Sequence, residues 1–83
     1  MSDRSVSDEL ARERRDLIKA EKDLVEGSQR IDQQHLLIER LVLQGHDTHQ
    51  ARTLLLNLEQ MLNAWGDHRL LIIDRIAVLE REH

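Results

Sequence analysis

Leu10, Leu17, Leu24, Ile31 and Ile38 recur at intervals of seven residues. A second series, Ala51, Leu58, Trp65, Ile72 and Leu79, keeps the same interval. A seven-residue repeat held over four intervals describes an apolar stripe that drifts slowly round an α-helix, the pattern of supercoiled packing. No stretch alternates with period two, and the chain has no proline to break a helix. Between the two series stands Gly45-His46-Asp47. Glycine ends helices by adopting the left-handed conformation, and Asp47 or Thr48 is suited to cap the helix that follows. Gln50, three residues after Asp47, offers a capping-box partner.

These signals predict an all-α fold, an antiparallel two-helix coiled-coil hairpin in a single domain, 1–83. The first helix is expected over about 7–44, the turn over 45–47, and the second helix over about 48–82. Residues 1 to about 6 are polar and expected to fray, with Ser5 or Ser7 as the first cap. Gly66-Asp67 is a weak point in the second helix, but the heptad phase carries across it from Trp65 to Ile72, so one continuous helix is expected. A short turn makes the helices antiparallel neighbours, with facing residue numbers summing to about 92. Gly27 then lies opposite Trp65, Leu17 near Ile76, Ile31 opposite Met61 and Leu62, and Ile38 opposite Leu54.

Neither stripe reads as a pure coiled-coil seam. Taken four residues after each heptad position, the second core row of the first helix would be Arg14, Glu21, Ser28, His35 and Val42, four of them polar. Ile18 and Val25 widen this stripe, and Leu54, Leu55, Met61, Leu62 and Ile76 widen that of the second helix. Leu70 to Ile73 and Ile76 to Leu79 add apolar surface that the polar half of the first helix is not expected to cover. The expectation is a homodimer of hairpins forming a four-helix bundle, with Trp65, Leu71, Ile72, Ile76 and Leu79 at the interface and another protein as a further partner.

Composition narrows the function classes. The formal charge is −4, and acids interleave with the basic residues from Arg12 to Lys22, so no basic patch points to nucleic acid. The longest apolar run, Leu70 to Ile73, is far below the ~20 residues that span a bilayer. There is no cysteine and the N-terminus is polar, which together predict a cytoplasmic location. His46 and His49 flank Asp47, but these read as turn and cap residues rather than metal ligands, and no cofactor is expected. His35 has Glu39 one turn later, the one arrangement here that resembles a phosphotransfer histidine, although no acid or basic residue follows it directly. No Gly-rich phosphate loop and no nucleophile–base set is present, so the expectation is a non-enzymatic interaction module.

From Val25 to about Arg69 several short elements stand in order: Glu26-Gly27-Ser28-Gln29-Arg30-Ile31, Arg40-Leu41, Gly45-His46-Asp47-Thr48 and Ala51-Arg52-Thr53-Leu54-Leu55. This order resembles a group of small uncharacterised bacterial helical-hairpin proteins with a Gly-His-Asp-Thr turn. The resemblance implies a helical hairpin and no particular activity, cofactor or catalytic residue.

Overall fold

The computed structural model describes the backbone of residues 3–82 and the side chains of residues 5–82. Helix α1 (Asp3–Leu43) and helix α2 (His49–Glu82) pack side by side as an all-α hairpin 64 Å long and 14 × 13 Å across. Helix α2 runs through Gly66 without a break. The turn is built from a few hydrogen bonds. Gly45 has a φ of 72°, which glycine adopts without the Cβ clash of other residues. The His46 N–H donates to the Leu41 carbonyl at 2.9 Å and the Gly45 N–H to the Val42 carbonyl at 3.1 Å, the two bonds of a Schellman stop. The Thr48 carbonyl accepts the first bond of α2 from the Arg52 N–H at 2.9 Å. The Asp47 carboxylate accepts from the His49 N–H at 2.9 Å, placing a negative charge at the positive end of α2.

Helix α1 starts earlier than the sequence signals indicate. Ser5 and Ser7 lie inside it rather than capping it, and Val6 is buried. Val6 precedes Leu10 by four residues, so it falls on the same stripe and gains from extending the helix. Residues 1 and 2 lie outside the described residues.

The second core row of α1 is also corrected. Arg14, Glu21, Ser28, His35 and Val42 are all exposed. The inward row stands three residues after each heptad position: Glu13, Ala20, Gly27, Gln34 and Leu41, with Val6 heading it. Helix α2 answers with Ala51, Leu58, Trp65, Ile72 and Leu79 and with Leu55, Leu62, Arg69 and Ile76, all buried or half-buried. The hairpin is therefore a regular coiled-coil seam whose α1 side includes small and polar residues. Ile18 and Val25 do not widen it, being mostly exposed, and Leu54 and Met61 lie on its flank in solvent.

At Gly27 the two helices approach closely. A Cβ placed on it would lie 2.9 Å from Leu62 Cδ1 and 3.1 Å from Trp65 Cζ3. Real Cβ atoms essentially never approach within 3.0 Å. Glycine in mid-helix costs about 1 kcal/mol relative to alanine, and here it makes room for the indole opposite. Near the turn, buried Gln34 donates from Nε2 to the Ala51 carbonyl at 2.8 Å, linking α1 to the backbone of α2. At the open end Val6, Leu10 and Ala20 form one cluster with Ile72, Ile76 and Leu79, and Leu17 packs against it.

Replacing Gly27 by leucine is expected to destabilise the hairpin by about 1–3 kcal/mol, the usual penalty for overpacking, and to shift Trp65 emission as the indole is displaced. Thermal unfolding and fluorescence check this; unchanged melting and emission would show that the close approach is not retained in solution.

Candidate interaction surface

The five residues expected at an interface divide. Ile72, Ile76 and Leu79 are buried in the hairpin itself, Ile72 to 1% exposure, and are not available to a partner. The reason is the missed row of α1: its Val6 and Ala20, together with Leu10 of the heptad stripe, cover them. Trp65 is half-buried against Gly27. Leu71 alone of the five is well exposed, at 54%.

The apolar surface that does face solvent has its own order. Leu56 and Leu70 of α2 and Ile18 and Val25 of α1 are exposed on one flank; on the other, Leu54, Met61, Leu71 and Val78 of α2 are exposed, with Ala64 between them. Each of these last five stands one residue before a member of the seam: Leu55, Leu62, Trp65, Ile72 and Leu79. One residue is a rotation of about 100° round the helix, so α2 carries two apolar rows at roughly a right angle. Asn57, His68 and Arg75 fill the remaining positions of the second row, and all three are exposed. The matching row on α1, from Glu9 to Arg40, is polar except for Leu37. A smaller apolar group, Leu36, Leu37, Val42 and Leu43, lies on the last two turns of α1, with Leu43 87% exposed.

The second row borders an open hollow of about 440 Å³, lined by Leu71, Asp74, Arg75, Val78, Leu79 and Glu82 of α2 and by Glu9 and Glu13 of α1. Glu13 occupies a seam position and its side chain keeps only 15% of its exposure. Its Oε1 lies 3.7 Å from Arg75, while Oε2 is enclosed without a hydrogen-bond partner among the described residues. A half-satisfied carboxylate in a seam is a cost, since burying charge removes water that one long ion pair does not replace. On the same flank Lys19 bonds Asp23 at 2.9 Å. That hydrogen bond, with the charge of Asp23, holds the Lys19 ammonium above its usual pKa.

The histidines do not assemble into a site. His35 and His68 are exposed, and His46 and His49 stand in or beside the turn. Among the described residues no three His, Asp or Glu side chains group as a metal ion would require. His35, Glu39 and Arg52 do line one open hollow of about 550 Å³ near the turn. Among the described residues no helix is long and apolar enough to cross a membrane. The chain matches no protein-family model, no curated protein and no solved structure at a significant level, so its functional reading rests on geometry.

Replacing Glu13 by leucine is expected to raise stability by about 1 kcal/mol, or roughly 4–8 °C in melting temperature, because Arg75 is left solvated at the surface. A melting temperature that falls would identify the Glu13–Arg75 pair as a net contributor.

Proposed function

We propose that this chain is a non-enzymatic, cytoplasmic interaction module that works as a homodimer, two hairpins closing into a four-helix bundle that in turn engages another protein. The carrying observation is surface area. The chain exposes 6487 Å², whereas a compact monomer of 9.8 kDa exposes about 5,200 Å². The excess is larger than the ~800 Å² that each partner commonly buries in a stable interface. The radius of gyration, 18.8 Å against about 12 Å for a compact domain of this length, has the same cause. A rod of two helices leaves most of its circumference in water, and pairing two rods is the simplest way to shield it.

A second reading takes His35, beside Glu39 and Arg52, as a phosphate acceptor in a signalling accessory protein. Incubation with acetyl phosphate followed by mass measurement separates the two: a phosphate adduct lost in His35→Gln would favour this second reading.

Sedimentation equilibrium at micromolar concentration is expected to give twice the chain mass of 9.8 kDa. A helical monomer across that range would overturn the dimer.

A further inference from the structure

We infer that the second copy docks on the exposed row of α2 formed by Leu54, Met61, Ala64, Leu71 and Val78, antiparallel to it, about a two-fold axis beside Gly66. This inference rests on the homodimer reading above and specifies its face and register.

Two features of α2 lead to it. The first is the rotation between its rows. A helix in a four-helix bundle meets two neighbours at about a right angle to one another. The seam row meets α1, and the exposed row, about 100° away, is placed to meet a second neighbour. Helix α1 lacks such a row on the same flank, where Glu9, Arg12, Asp16, Lys19, Asp23 and Glu26 follow one another. The second helical contact therefore falls to α2, and in a closed dimer α2 meets α2 of the other copy.

The second feature is self-complementarity. A two-fold contact pairs residue i with j and j with i. Antiparallel pairing about a point beside Gly66 sets Leu54 against Val78, Met61 against Leu71, and Asn57 against Arg75. The four large apolar residues of the row meet one another, and Asn57 meets Arg75. Ala64 meets His68, a small residue opposite a ring. The opposite flank of α2 pairs less well about such an axis: Leu56, Leu70, Ile73 and Ala77 are interrupted by Arg52, Glu59, Asn63 and Glu80, which sets Asn63 against Leu70 and Glu59 against Ile73.

The absence of cysteine makes the register directly measurable. Met61→Cys chains mixed with Leu71→Cys chains are expected to give a disulfide-linked heterodimer on mild oxidation. Each variant alone is expected to cross-link poorly, because identical positions then lie about 15 Å apart along the helices, beyond the reach of a disulfide. Leu71→Glu is expected to weaken dimerisation by about tenfold or more with unchanged helix content, since it sets a charge in an apolar contact. A dimer that cross-links instead through Leu70→Cys and Ile73→Cys, or that ignores Leu71→Glu, would overturn this face while leaving self-association standing. A monomeric wild-type chain would overturn both.

Discussion

The hairpin depends on the distance at which its two helices can run, and Gly27 sets that distance at mid-length. With no side chain there, Leu62 and the edge of the Trp65 ring reach the surface of α1. Ala20, one heptad away, repeats the arrangement toward the open end, where buried Ile72 shares its cluster. Small residues on one helix opposite large ones on the other allow interior packing without long side chains on both. The remaining contacts fall into range because of it. The Gln34 bond to the Ala51 carbonyl spans 2.8 Å, and the Glu21–Arg69 and Glu13–Arg75 pairs stand at 3.6 and 3.7 Å.

The heptads made the helices, the turn and the antiparallel arrangement legible, because period and punctuation are local properties. The opposition of Gly27 and Trp65 was legible too, since a short turn leaves little freedom in register. The second row of α1 was hidden for a physical reason. Glu13, Ala20, Gly27 and Gln34 carry little apolar surface, so a search for hydrophobicity passes over them and lands on the wrong side of the stripe. Burial of small residues reports how close a neighbouring backbone comes, which no single helix reveals. The same error misplaced the interface. With Val6, Leu10 and Ala20 covering Ile72, Ile76 and Leu79, the unburied apolar surface of α2 is that of Leu54, Met61, Leu71 and Val78 on one flank and of Leu56 and Leu70 on the other.

Polar residues within the seam act on register rather than on strength. Gln34 donates to a carbonyl in the first turn of α2, and a shift of the helices by a heptad would strand its amide in an apolar contact. Buried polar groups in coiled coils commonly specify alignment at some expense of stability.

The two ends of the rod are held by different physics, and this orders its assembly. Beside the turn, closure is local: Gly45, Asp47 and Thr48 make short-range bonds, and Gln34 reaches a carbonyl only 17 residues along the chain. The apolar cluster lies at the other end, where Val6 meets residues more than 60 positions away. Loops of that length are the most expensive to close in one step, and helix pairing that starts at the turn shortens the effective loop as it advances. The chain is thus built to zip from the turn outward, with its densest apolar packing acting as the clasp that seals last.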